Sequence, residues 1–263
     1  MSQTPDSTAC DGYVRTTGHG RMHYREQGRG DPLILIHTNG GSAWQYAACS
    51  PLLARRFRVI AWDMPGQGDS DPLARHYGIE DYCDALAAFM DALAIDRAHV
   101  SGCSCGGTIT GAFGVRHAAR TRSAVVVETP FRTAAEWAAR WDHTEGNFGI
   151  PTQSIDDVKS RVARVDEHVL ERWNVDRNKA GAKTMVSVMW AMRDFDIAAA
   201  IAAATRPTMV LYGARGPTVA LRDRVKAANA AVPVETLAGS GHFPMLDEPE
   251  AFAEVHTRFC TAA

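Results

Sequence analysis

The stretch Val100-Ser101-Gly102-Cys103-Ser104-Cys105-Gly106-Gly107-Thr108, VSGCSCGGT, sets three sulfur- or oxygen-bearing side chains in a row between glycines. An apolar run leads into it, and helical spacing follows over residues 108–119. Gly102-Cys103-Ser104-Cys105-Gly106 therefore has the form G-x-S-x-G in a strand–turn–helix setting. A residue held on so sharp a turn crowds its neighbours, which accounts for the flanking glycines. The turn lifts the Ser104 hydroxyl above the sheet edge and aims the Cys105 backbone N–H at whatever Ser104 attacks. The helix that begins there favours negative charge. A zinc reading of the cysteines finds neither a second cysteine pair nor a Cys/His cluster at metal spacing. Cys103 reads as a small buried residue. Cys105, at a helix start, is where a thiolate would be favoured, so incidental reactivity stays open for it.

Working outward, short apolar runs at 33–36, 57–62, 98–102, 124–127, 208–212 and 234–237 read as buried strands. Residues 43–53, 79–93, 108–119 and 219–230 carry helical spacing between them. This alternation predicts a mostly parallel sheet covered on both faces. Residues 13–17 and 22–27 alternate in character and predict an antiparallel lead-in hairpin. From Phe131 to about Asp196 no strand-like run appears, yet four of the six tryptophans lie there. The expected organisation is a core formed by residues 1–130 and 197–263. A helical cap lobe, 131–196, is inserted after the strand that ends at Glu128. Most of the lobe's aromatics should form its own core, with a minority lining a cleft against the sheet.

Composition narrows the function classes. The 263 residues carry a formal charge of -2 with basic residues scattered, which gives no pull towards nucleic acid or acidic lipid. The polar start MSQTPDSTACDG lacks the apolar core of a signal peptide, and no stretch reaches the length of a membrane helix. Six cysteines spread through a chain of this size read as reduced thiols. The expectation is a cytoplasmic protein without metal or cofactor. Its partner would be a small molecule and, at most, a second copy of the chain in a homodimer.

Three further landmarks stand in order along the chain. His37-Thr38-Asn39-Gly40-Gly41 follows one strand, Asp63-Met64-Pro65-Gly66-Gln67-Gly68-Asp69-Ser70 follows the next, and Gly239-Ser240-Gly241-His242-Phe243-Pro244 follows the last. With these, the sequence resembles the α/β-hydrolase family from about residue 12 to the C-terminus. The resemblance implies an α/β-hydrolase fold: a mostly parallel eight-stranded sheet flanked by helices, with an inserted helical cap lobe. It implies Ser104 as nucleophile, His242 as the base that takes its proton, and an oxyanion hole of the Asn39 and Cys105 backbone N–H groups. Thr38 departs from the family's usual His-Gly, but any non-proline residue there supplies an N–H.

The acid departs from the family more sharply. Most relatives carry a carboxylate after the strand equivalent to 208–212, in a pattern like G-x-x-D, where this chain reads Gly213-Ala214-Arg215-Gly216. Glu128 is the preferred substitute, because some α/β-hydrolases take their acid from that strand. It also stands at the C-terminal edge where open α/β sheets hold their sites. Asp223 is the weaker candidate, and Asp247 reads as the acidic cap of the last helix.

The elbow GCSCG, the acid at VVETP, glycine at 216, GHFP around the histidine and DMPG are together similar to the zearalenone lactonases. That similarity implies acyl transfer from an ester or lactone carbonyl, with a bulky macrolactone such as zearalenone as the leading substrate. Trp190, Met189, Gly40 and Pro130 are then expected to touch it. The alternatives are a general carboxylesterase, a carbon–carbon bond hydrolase using the same Ser104 and His242, and a ligand-binding relative that has lost catalysis. Dehalogenase and epoxide hydrolase chemistry is disfavoured, because those elbows carry aspartate.

Overall fold

The computed structural model describes residues 9–263, so most of the polar N-terminal segment lies outside the described residues. Strands β1 (Cys10–Thr16) and β2 (Gly20–Gln27) form the lead-in hairpin. They are followed by β3 (Asp31–Ile36), α1 (Ser50–Leu53), β4 (Phe57–Trp62), α2 (Ile79–Ala92), β5 (Ala98–Cys103), α3 (Cys105–Arg116) and β6 (Thr121–Val127). Next come four helices without an intervening strand: α4 (Ala134–Ala139), α5 (Trp141–Gly149), α6 (Ile155–Lys159) and α7 (Glu167–Arg193). The chain closes with α8 (Ile197–Ala202), β7 (Thr208–Gly213), α9 (Arg222–Ala228), β8 (Val234–Leu237), α10 (Pro244–Asp247) and α11 (Pro249–Ala262).

The eight strands form one sheet in the order β1-β2-β4-β3-β5-β6-β7-β8, antiparallel at the first two pairings and parallel at the rest. The continuous apolar strand runs are explained by burial on both faces. On β3, Ile34 and Ile36 join the core under α2 and α3, while Leu33 and Leu35 join the core under α1 and α11. Ile60 and Trp62 on β4 divide from Val59 and Ala61 in the same period of two. Helix α2 presents Ile79, Tyr82, Cys83, Leu86, Phe89 and Met90 to the first core, at the i, i+3, i+4, i+7 spacing of one helical face.

Strand β3 lies between β4 and β5, so the sheet order reverses there. The loops leaving β3 and β5 diverge at that point, which opens a crevice at the C-terminal ends of the strands. Two expected helices are shorter than the sequence pattern. Residues 43–53 divide into a 3-10 turn, Ala43–Tyr46, and α1, because Pro51 has no N–H to continue the first turn into the second. Residues 219–230 divide likewise into Val219–Leu221 and α9. Among the described residues no helix is long and apolar enough to cross a membrane.

Candidate active site

Ser104 sits between the end of β5 and the start of α3 with φ 58° and ψ -114°, a conformation that non-glycine residues seldom adopt. Its N–H donates to Val127 O at 2.8 Å, and Thr129 Oγ1 donates to Ser104 O at 3.0 Å, so β6 holds the turn from outside. Close packing also holds it from within. A methyl group on Gly102 would lie 2.3 Å from Gly106 O, and one on Gly106 would lie 2.4 Å from Ile36 O. The helix starts at Cys105, earlier than its periodicity indicated, and so its N-terminal dipole faces the Ser104 hydroxyl.

Neither cysteine of the elbow is available for chemistry. Cys103 is fully buried with Sγ 3.3 Å from His242 O, and burial pushes its thiol well above the usual range. Cys105 is also fully buried, and desolvation raises its thiol to about 12, which corrects the expectation of a favoured thiolate at the helix start.

His242 meets Glu128 across 114 residues of sequence, with Nδ1 3.0 Å from Oε2. Glu128 is wholly buried, at φ 46°, one residue past the end of β6. Its Oε1 accepts the Gly213 N–H at 2.6 Å and its Oε2 accepts the Thr218 hydroxyl. With the carboxylate accepting from Nδ1–H, Nε2 is the free nitrogen of the ring, and His242 and Ser104 line the same cleft. Thr218 did not stand out in the sequence; its signal was a hydroxyl two residues beyond the vacant acid position. Asp223 stands at the start of α9 with its side chain 96% exposed, 3.8 Å from Arg222, and the structure does not bring it to His242. Asp247 is also corrected. It is the last residue of α10, and its buried carboxylate accepts from Gly241 N and Ala163 N, both at 2.7 Å, pinning the His242 loop to the segment before α7.

The loop after β3 is braced throughout. His37 Nε2 accepts the Met64 N–H at 3.0 Å, so Nδ1 carries the proton and donates to Thr38 O at 2.7 Å. Thr38 donates its N–H to Gln45 Oε1 at 3.0 Å and accepts from Gln45 Nε2 at 2.9 Å, which gives the unusual threonine a role in shaping the turn. Asn39 Nδ2 donates to Met185 O on α7 at 2.8 Å. The Asn39 and Cys105 N–H groups have no backbone acceptor among the described residues. Below this loop, buried Asp63 accepts from Ala43 N, Asp69 N and His23, closing the DMPGQGDS turn.

The cleft above Ser104 has a volume of about 280 Å³, and Pro130, Trp137, Phe148, Met189 and Met192 supply apolar wall. Two of the residues expected to touch substrate, Trp190 and Gly40, do not line this cleft. Trp190 is 37% exposed and stacks on Trp141 at 4.1 Å, facing a separate groove beside Leu73 and His76. The cause is helical phase: Met185, Met189 and Met192 recur on the buried face of α7, and Trp190 lies about 100° round from Met189. Gly40 is packed beneath Met185 and donates its N–H to Gln67 Oε1 at 2.6 Å, away from the cleft lining.

A buried carboxylate–imidazole pair beside an elbow serine, on a reversing parallel sheet, defines a hydrolase architecture. Residues 31–249 match the family model of the alpha/beta hydrolase fold, and the chain belongs to that family. It is similar to the 2-hydroxy-6-oxo-2,4-heptadienoate hydrolase of Pseudomonas putida, 39% identical over 44% of this chain and 44% of that one. The match thus spans less than half the length of that relative. The 2-hydroxymuconate semialdehyde hydrolase of a Pseudomonas species is 26% identical over 92% of this chain and 91% of its own. Among solved structures, the enol-lactonase from Burkholderia xenovorans superposes with a TM-score of 0.78 at 22% identity, covering 95% of this chain and 100% of that one. At that identity the likeness concerns the fold.

Proposed function

We propose that the protein is a serine hydrolase that cleaves a carboxylic ester or lactone through an acyl-enzyme. The observation that carries this reading is the hydrogen bond to the buried Glu128 carboxylate from His242, which lines one cleft with Ser104. Ser104 Oγ attacks the carbonyl while His242 Nε2 takes its proton. The developing oxyanion is received by the N–H groups of Asn39 and Cys105. His242 then protonates the leaving alkoxide and activates the water that releases the acid, with Glu128 holding the ring in the required tautomer. Serine at the elbow disfavours the chemistry of relatives such as the haloalkane dehalogenases, which resemble this chain at 34% identity over 44% of its length.

The leading substrate is a macrolactone of the zearalenone type. Its support is the set of catalytic motifs, including the glycine at 216 and the acid at 128. A cleft of about 280 Å³ lies just below the range of about 300–1,000 Å³ for drug-sized ligands, which suits a compact ester better than a macrolactone unless the cap helices move apart. A second reading, hydrolysis of a carbon–carbon bond by the same residues, is favoured by the similarity to the two Pseudomonas hydrolases. One experiment separates these readings: mass spectrometry of products from zearalenone, a simple lactone, a p-nitrophenyl ester and a 2-hydroxy-6-oxo-dienoate. A gain of one water, carried by the opened lactone or shared between the two fragments of the ester or dienoate and absent with Ser104→Ala, identifies the class. No gain on any of them overturns the hydrolase reading in favour of a binding protein.

A further inference from the structure

Besides its apolar wall, the cleft is lined by Arg132, Arg140 and Arg161, and among the described residues no aspartate or glutamate side chain lines it. None of the three forms an ion pair among the described residues. Glu136, four residues beyond Arg132, is committed to Arg224 at 2.5 and 2.6 Å. Asp157, which offsets Arg161 electrostatically, is turned to the Ser154 hydroxyl and N–H at the start of α6. Glu128 is buried and engaged by His242, Gly213 and Thr218.

Arg161 is the most confined of the three by its surroundings. Its carbonyl accepts the His242 N–H at 2.8 Å, which fixes its backbone beside the base. Its guanidinium reaches only neutral acceptors, Asn147 Oδ1 at 2.9 Å and Gln153 Oε1 at 3.4 Å, and lies 5.8 Å from the Trp173 ring. Burial pulls the pKa of both Arg161 and Arg132 below the usual arginine value. Desolvated cations are ordinarily paired, and a guanidinium left with neutral partners in a cleft is a site for an incoming anion.

We propose that the cleft carries a carboxylate subsite, in which Arg161, assisted by Arg132, receives an anionic group of the substrate remote from the scissile carbonyl. The proposal rests on the acyl-transfer reading above and narrows its substrate class. Among esters and lactones of similar size, those that bear a carboxylate are turned over faster than neutral ones, which can use only the apolar wall.

The test compares p-nitrophenyl hydrogen glutarate with its methyl ester, an uncharged molecule of similar shape, on wild type and Arg161→Gln. Wild type should favour the anion by at least about tenfold in kcat/KM, and R161Q should narrow that ratio to below about threefold, whatever it does to the absolute rates. Equal treatment of the two esters by wild type, or an unchanged ratio in R161Q, overturns the subsite. If wild type hydrolyses neither ester, the hydrolase reading fails on these substrates, and calorimetry with glutarate decides the subsite separately. Saturable glutarate binding that weakens at least tenfold in R161Q supports it, and no binding overturns it.

Discussion

Glu128 and Gly216 compete for one volume: a methyl group added to Gly216 would lie 2.2 Å from Glu128 Oε1 and 2.5 Å from its Cδ. The loop after β7 is where most members of the family carry their acid. In this chain that space is filled by a carboxylate arriving from β6. The glycine therefore leaves the room that the Glu128 carboxylate fills, and the two positions can be occupied by only one carboxylate at a time.

This exclusion predicts strong coupling between the two sites. Gly216→Asp alone should depress kcat by at least about a hundredfold, since it drives Glu128 from His242. In a Glu128→Ala background the same change should restore at least about tenfold over Glu128→Ala alone, a departure from additivity expected of contacting residues. Steady-state kinetics on an accepted ester measure both, and additive losses would reject the shared-volume account.

The identity of nucleophile and acid is checked by three substitutions. Ser104→Ala should lower turnover by roughly 10³–10⁶-fold and Glu128→Gln by roughly 10²–10⁴-fold. Asp223→Asn should stay within about threefold, because its side chain is 96% exposed. If Asp223→Asn proved the more damaging of the two acid variants, Glu128 would lose its assignment.

Thr218 supports the carboxylate through a hydroxyl bond to Oε2. Thr218→Val keeps the shape and removes the donor, which costs about 1–1.5 kcal/mol and corresponds to about tenfold in kcat. Thr218→Ser should recover most of that loss. A valine variant with wild-type kcat would show that the hydroxyl does not position the acid.

The phase of α7 separates neighbours in sequence. Met189→Ala opens the cleft wall and should raise KM for bulky esters by about five- to tenfold, as expected for losing an apolar contact of about 1 kcal/mol. Trp190→Ala should leave kcat/KM within about threefold, because the ring packs on Trp141 outside the cleft. Comparison of the two variants on short- and long-chain esters provides the check.

His256 supplies a pH dependence of stability. Its ring is fully buried, with Nδ1–H donating to Phe252 O at 2.8 Å and Nε2 accepting the Ser101 hydroxyl at 2.8 Å, and burial pushes its pKa from 6.5 down to about 4. Between these values the unfolded chain binds the extra proton, so stability rises with pH through the window. The contribution is fully present above 6.5 and is lost as pH falls towards 4, on the order of 3 kcal/mol at most. Urea unfolding at pH 4.5 and 7.5 should show a smaller acid loss for His256→Gln than for wild type. Equal losses would falsify the linkage.

Much of the fold was legible because its signals are local. The period of two on β3 and β4, the period near 3.6 on α2, and the glycines around Ser104 each act within a few residues. The outward face of Trp190 had a local signal, since the 185, 189, 192 spacing of methionines already sets the inward face of α7. The role of Asp247 was not local. A carboxylate just ahead of the last helix reads as its cap, and only the approach of Ala163 and Gly241 shows what it binds. The three cleft arginines were invisible for a related reason, since an unpaired cation in sequence differs in no way from a surface one.

What the sequence by itself determined was the sheet and the elbow that carries Ser104, because strand burial and a strained turn impose their residue types over short stretches. What only the tertiary structure decided was which acid meets His242, which face of α7 meets the cleft, and which charges go unanswered there. These depend on groups up to 114 residues apart sharing a buried volume, and that volume admits one carboxylate at Glu128 because Gly216 leaves it empty.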